Sequence, residues 1–135
     1  MNWSSRETAS LKCVRTEQIK SHVPMCIHLD HGATMEQVQR AIRCGFTSVM
    51  IDASSESFED NIKITKEVIK VAHPLGVSVE AELGTIGDIK EDSGNREIGS
   101  KEIIFTKPED AKKFVEETGC DTLAIAIGTA HGIYP

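Results

Sequence analysis

The chain has 135 residues, enough for one domain with its own core, and its 27% charged and 39% apolar residues are those of an ordinary globular protein rather than a disordered or fibrous one. A formal net charge of -6 argues against nucleic acid as a partner, since gripping a phosphate backbone takes clustered Lys and Arg. No apolar run nears the roughly 18 residues of a membrane span, and Met1-Asn2-Trp3-Ser4-Ser5-Arg6-Glu7 lacks the apolar stretch of a signal peptide, so a cytoplasmic protein with no membrane partner is expected.

Residues 1–21 carry one plausible helix, around Leu11 to Ile19, and no clear strand. A first strand is predicted over 25–29, followed by Asp30-His31. Thr34 then caps a helix running to about Cys44, with Gln37 completing a capping box, Glu36 in the first turn and Gly45 as the stop. A second strand covers 48–52. The next helix runs from about Ser57 to Ala72, where Phe58, Ile62, Thr65, Val68 and Ile69 recur at helical spacing. A third strand covers 77–83. The stretch 84–101 is polar, contains glycines and is too long for a simple connector, so it reads as a mobile active-site loop or a disordered segment. A helix opens at Pro108, buries Ala111, Phe114 and Val115 and stops at Gly119, and a fourth strand covers 122–127.

Strands alternating with helices mean parallel pairing and right-handed crossovers, an α/β fold. The continuously apolar Val49-Met50-Ile51 and Leu123-Ala124-Ile125-Ala126-Ile127 read as central strands covered on both faces. Cys13, Cys26, Cys44 and Cys120 form no CxxC pair, so they read as reduced and mostly buried thiols.

Each strand ends in polar residues, and in parallel α/β folds ligands bind at the carboxyl ends of the strands. Asp30-His31, Asp52, Glu82 and His131 would therefore converge on one rim. Neutral imidazoles of His31 and His131 suit zinc. Asp30 reads either as a proton-transfer group beside a metal or as a turn residue introducing the helix at Thr34. His28, inside the strand, reads as a core-facing histidine satisfied by a neighbour. Glu80 and Glu82 share a strand face; there they need partners or a metal, unless that face is solvated. Gly128-Thr129-Ala130-His131-Gly132 is either a plain turn or a backbone cradle for phosphate.

Taken in order, His28-Leu29-Asp30-His31-Gly32, Ser48-Val49-Met50-Ile51-Asp52, Val79-Glu80-Ala81-Glu82-Leu83-Gly84 and Ala126-Ile127-Gly128-Thr129-Ala130-His131-Gly132 resemble the class II fructose- and tagatose-bisphosphate aldolases over about residues 22–134. The resemblance implies a (β/α)8 barrel, of which about four consecutive βα units lie in this chain, and a zinc-dependent lyase that splits a ketose 1,6-bisphosphate into glycerone phosphate and glyceraldehyde 3-phosphate. It implies His31 and His131 as zinc ligands and Asp30 as the acid/base at the C4 hydroxyl. Asp52 and Glu82 would line an alternative, more buried metal position, and Gly132 would touch substrate phosphate and a monovalent cation. The family's third zinc histidine, in a later His-Gly-x-Ser segment, and its phosphate-binding Asn-x-x-Thr/Ser segment are not in this sequence. Lys90 stands where the loop glutamate is expected, with Glu91 one residue on, Pro135 stands where the family often has lysine, and residues 1–22 show no counterpart of the family's first strand. The alternative expectation is a truncated, inactive aldolase-like fragment that binds metal weakly. Family members are commonly dimers or tetramers, so a homo-oligomer is expected.

Overall fold

The computed structural model describes residues 5–84, 87–92, 95–98, 105–128 and 130–131, with side chains over 11–84 and 105–128. Helix α1 (Ser5–Lys20) leads into strand β1 (His28–Gly32), helix α2 (Met35–Arg43) and strand β2 (Ser48–Ile51). Helix α3 (Phe58–Ala72) runs into a 3-10 turn (His73–Leu75) and strand β3 (Ser78–Leu83). Strands β4 (Gly87–Asp92) and β5 (Asn95–Ile98), helix α4 (Pro108–Thr118), strand β6 (Thr122–Ile125) and the short β7 (Ala130–His131) follow.

Four strands form a parallel sheet in the order β1-β2-β3-β6. Neighbours follow chain order, without the reversal that marks doubly wound sheets. Helix α2 packs on α3 and α3 on α4, so the three crossovers lie side by side on one face. Consecutive βα units of a (β/α)8 barrel have this arrangement.

The local signals act where the sequence places them. Thr34 Oγ1 accepts from the Gln37 amide at 3.2 Å, and the Gln37 side chain reaches back to the Ala33 amide at 2.8 Å, closing the first turn of α2. Ser57 does the same for α3 by accepting from the Asp60 amide at 3.1 Å. Helix α4 begins with Pro108 and ends on Gly119, whose φ of 71° is a left-handed stop.

The core lies between sheet and helices. Val38 and Ala41 from α2, Val49 and Ile51 from β2, Val68 and Ala72 from α3 and Val79 from β3 are all essentially inaccessible. Farther along, Phe114 of α4 is fully buried against Ile62 and Ala81 and meets Phe58 edge-on, ring centroids 6.0 Å apart. At the opposite end of the sheet from the strand-end rim, Asp121 ties two connections together: its Oδ2 accepts from the Val79 amide at 2.7 Å and lies 2.9 Å from His73 Nε2. The Val79 amide lowers the Asp121 carboxyl below its ordinary range, partial burial opposes this, and His73 adds to the lowering.

Several expectations change. Helix α1 extends over Ser5–Lys20, beyond 11–19, because its flanks carry good helix formers such as Arg6, Glu7 and Ala9 that no apolar stripe announces. Strand β1 begins at His28 and includes Asp30 and His31, which were expected after its end. Only Cys120 is buried; Cys13 sits on exposed α1, Cys26 precedes β1 and Cys44 caps the outer end of α2. Strand β2 is central and buried as predicted, whereas β6 is the edge of the four-stranded sheet among the described residues, with Ile125 and Ile127 exposed. The stretch 84–101, read as a loop, contains β4 and β5 paired antiparallel, and β4 also pairs with β7, joining Asp88 to His131 in register. Gly87-Asp88-Ile89-Lys90-Glu91-Asp92 has one apolar residue in six, so it shows none of the alternation by which strands are recognised. Among the described residues no helix is long and apolar enough to cross a membrane.

Candidate functional site

The site begins with an irregularity in β1. Its register against β2 runs His28 to Ser48 and Leu29 to Val49, then Gly32 to Ile51, so Asp30 and His31 together oppose Met50. One extra residue on one strand is a β-bulge, which bends the strand and re-aims its side chains. Leu29 packs into the core on the helix side. A Cβ on Gly32 would point there too, 3.0 Å from Leu29 Cδ2 and 3.6 Å from Val38 Cγ2. In a regular strand two residues three apart face opposite sides; the bulge lets both face the helices while His31 turns to the other face. His31 completes the turn with φ at +46°, the left-handed region, the one non-glycine residue found there among the described residues. Such strain, typically of order 1–3 kcal/mol, persists where the surroundings hold it and clusters at functional positions.

Gly32 is part of the device. Its substitution by Ala would set a Cβ 2.5 Å from the Met50 carbonyl oxygen, and backbone cannot yield as a side-chain tip can. We expect Gly32→Ala to lower unfolding stability by about 1–3 kcal/mol, read as an earlier urea midpoint with an unchanged slope.

On the face that His31 enters, three donors meet. His31 Nδ1 lies 3.0 Å from Asp52 Oδ2 and 3.9 Å from Glu82 Oε2. Ligand atoms of the three residues all lie within 4.8 Å of one another. Asp52 stands just past β2, and its other oxygen, Oδ1, accepts from the Ser54 amide at 3.1 Å and hydroxyl at 2.7 Å, which fixes the carboxylate's rotation. Glu82 comes from β3 and its side chain is 5% exposed, against 38% for His31 and 77% for Asp30. Asp30 Oδ1 is 4.0 Å from His31 Nε2, on the solvent side of the ring. One step toward the start of the strands, His28 contacts Ser48 Oγ at 2.8 Å and Glu80 Oε2 at 3.3 Å, the satisfied histidine that its position inside the strand suggested.

Electrostatics follow the contacts. The hydrogen bond to Asp52 raises the His31 pKa; burial opposes it, and the charges of Asp30, Glu82 and Asp52 add to the rise. For Asp52 burial pushes upward, but the Ser54 hydroxyl, His31 and the Ser54 amide outweigh it and hold the carboxyl below its ordinary range. The cluster is thus an ionised carboxylate facing an imidazole that holds its proton more tightly than usual, backed by a buried glutamate.

One imidazole and two carboxylates are the N and O donors zinc accepts, and three protein ligands are the usual number at a catalytic zinc with an open position. The donor set therefore fits the metal expected from sequence. It joins His31 to Asp52 and Glu82 in one cluster. His131 contributes its backbone to β7, with its side chain outside the described residues, and Gly132 lies outside them altogether. Ser54, and Asn61, whose Nδ2 donates to the Glu82 main-chain carbonyl at 2.8 Å, stand beside the cluster and were passed over by the sequence reading. Ser54 was signalled by Asp52-Ala53-Ser54, the spacing of a local Asp side-chain turn. Asn61 was signalled by its place, four residues before Thr65 on a buried helix face where a polar pair is out of character.

Fold and cluster together define a run of βα units of the (β/α)-barrel type with a candidate metal centre at the carboxyl ends of the strands. Residues 4–135 match the family model described as fructose-bisphosphate aldolase class-II. The chain is 60% identical over 112 residues to a fructose-bisphosphate aldolase of Giardia intestinalis, covering 83% of this chain and 33% of that protein. It is 50% identical over 115 residues to one of Thermus caldophilus, covering 85% and 37%. Among solved structures it resembles the YdjI aldolase of Escherichia coli K12, with a TM-score of 0.76 and 40% identity over 92% of this chain and 42% of that one. The chain belongs to the class II fructose-bisphosphate aldolase family. It spans about a third of the length of the curated relatives it matches.

Proposed function

We propose that the strand-end cluster is the metal-binding part of a zinc-dependent aldolase site for a ketose 1,6-bisphosphate, fructose or tagatose, cleaved to glycerone phosphate and glyceraldehyde 3-phosphate. The observation that carries this reading is the bulge at Asp30-His31, which spends backbone strain to turn His31 onto Asp52 and Glu82 while leaving Asp30 open to a substrate. His31, Asp52 and Glu82 would hold the ion, with His131 as a further ligand and Gly132 as a backbone contact for substrate phosphate. Bound there, zinc would supply a Lewis acid at the ketose carbonyl, spreading the negative charge left on the C1–C3 fragment when the C3–C4 bond breaks.

The protein's own part is proton handling and position. Asp30 is 77% exposed and stands next to His31, so its carboxylate can take the proton of the C4 hydroxyl as the C3–C4 bond breaks and return it in the condensation direction. In the metal-free chain Asp52, locked by Ser54, holds the His31 ring through a hydrogen bond at Nδ1, so both donors already stand together where an ion would bind. Glu82, buried, places its charge where solvent screens it least.

The test is coupled detection of glycerone phosphate from fructose and tagatose bisphosphates. Turnover that disappears with EDTA and returns with zinc is the expected result; turnover indifferent to EDTA would exclude a metal-dependent mechanism.

A further inference from the structure

Asn61 sits in the middle of the first turns of α3, only 2% exposed, and does not point at apolar neighbours alone. Its Nδ2 donates to the main-chain carbonyl of Glu82 at 2.8 Å, and its Oδ1 accepts from Thr65 Oγ1 at 3.3 Å. The Glu82 carbonyl stands where the sheet runs out on one side. Pairing between β2 and β3 goes from Ser48 with Ser78 to Ile51 with Ala81 and then stops, because β2 ends and the chain turns away at Asp52. Toward β6 the ladder continues through Glu82 and Leu83. The residue that delivers a carboxylate to the cluster is therefore the first one on β3 without β2 beside it.

A buried main-chain carbonyl without a partner is costly, and a strand end held on one edge only is free to twist. The Asn61 amide replaces the missing strand with a donor fixed to a rigid helix, and Thr65 leaves that amide one orientation by occupying its oxygen. Twist at residue 82 would swing the carboxylate relative to His31, 3.9 Å away, and so open the cluster.

We propose that Asn61 is a positioning residue for the metal centre: by holding the Glu82 carbonyl from α3 where β2 ends, it sets the Glu82 carboxylate against His31 and Asp52. The inference rests on the metal reading given under Proposed function. Asn61 touches neither ion nor substrate; it acts through the backbone of Glu82.

The test measures Co2+ affinity of the 135-residue chain, by calorimetry and by the visible absorption of the bound ion, for the unaltered protein, Glu82→Gln, Asn61→Leu, Asn61→Asp and Val68→Ala. Loss of a group that supports a metal ligand typically weakens binding about 10- to 100-fold, and that loss is expected for Asn61→Leu, together with a changed absorption spectrum. Asn61→Asp keeps the size of the side chain but sets a carboxylate against the Glu82 carbonyl, and the same loss is expected, so the proposal stays testable if the leucine variant does not fold. Val68→Ala opens a cavity in the same helix away from the site; it should melt earlier and bind Co2+ as the unaltered protein does, which separates positioning from general loosening. Folded Asn61 variants that bind Co2+ with unaltered affinity and spectrum would overturn the proposal and leave the metal reading intact. An unaltered chain that takes up no Co2+ would overturn that reading and the role of Asn61 with it.

Discussion

Asp30→Asn is expected to lower turnover of the ketose bisphosphate by about 100- to 10,000-fold, the range over which a positioned acid/base contributes, while zinc affinity stays near that of the unaltered protein. The side chain keeps its size and its hydrogen-bonding oxygen but can no longer accept a proton. Metal affinity should survive because Asp30 lies outside the cluster: its Oδ1 is 4.0 Å from His31 Nε2, with 77% of the side chain in solvent, where water screens its charge. The same substitution at Asp52 would be expected to do the reverse, weakening the metal first, since Asp52 contacts His31 directly at 3.0 Å. Steady-state assays with zinc in excess, beside calorimetric zinc titrations, separate the two outcomes. Turnover that persists in Asp30→Asn would assign the proton transfer to another group.

How much of this could be read from the residues alone depends on what kind of signal each feature leaves. Helices α2, α3 and α4 were legible because their stops and caps are local: Thr34, Ser57, Pro108 and Gly119 act on neighbours within one turn. The parallel sheet followed from the alternation of apolar strands with those helices. The β4–β5 pair was not legible, since its residues are mostly charged and show no alternation, and the other partner of β4, β7, is distant in sequence. Leu123-Ala124-Ile125-Ala126-Ile127 has the composition of a strand covered on both faces, while among the described residues β6 has a neighbour on one side only, and composition cannot say where a neighbour lies. At the site, Asp30-His31, Asp52 and Glu82 were visible as polar residues at strand ends. What no pattern announces is the bulge. A strand with alternating faces would have turned His31 toward the helices, and only the extra residue in β1, with the left-handed backbone at His31 and the bare Cα of Gly32, turns the ring onto the carboxylates.

That geometry makes two pH dependences run in opposite directions. In the metal-free chain the His31 pKa is raised above its ordinary 6.5, first by the hydrogen bond to Asp52, with burial opposing and the nearby carboxylates adding. A group whose folded pKa lies above its unfolded one stabilises the fold through its protonated form, fully below 6.5, and that contribution disappears as pH rises through the folded value. Unfolding stability of the EDTA-treated chain should therefore decline from mildly acidic to mildly alkaline pH. Asp52, whose pKa is lowered, adds stability above its ordinary 3.8 and loses it only as pH falls through the lower folded value, so it does not contribute to the slope near neutrality. Zinc needs the neutral ring, and each ion bound must displace the His31 proton, so affinity should climb by about tenfold per pH unit until the raised pKa is passed and then level. His31→Gln removes this titrating group and should flatten the stability curve and lessen the pH dependence of zinc affinity, the part due to His131 remaining, while weakening zinc binding throughout. Urea midpoints of the metal-free chain and calorimetric zinc affinities, followed over the same pH series, give the comparison. A zinc affinity that does not change with pH in the unaltered protein, or a metal-free stability slope that survives in His31→Gln, would take His31 out of the metal centre, because the proton that links fold and metal would then belong to another residue.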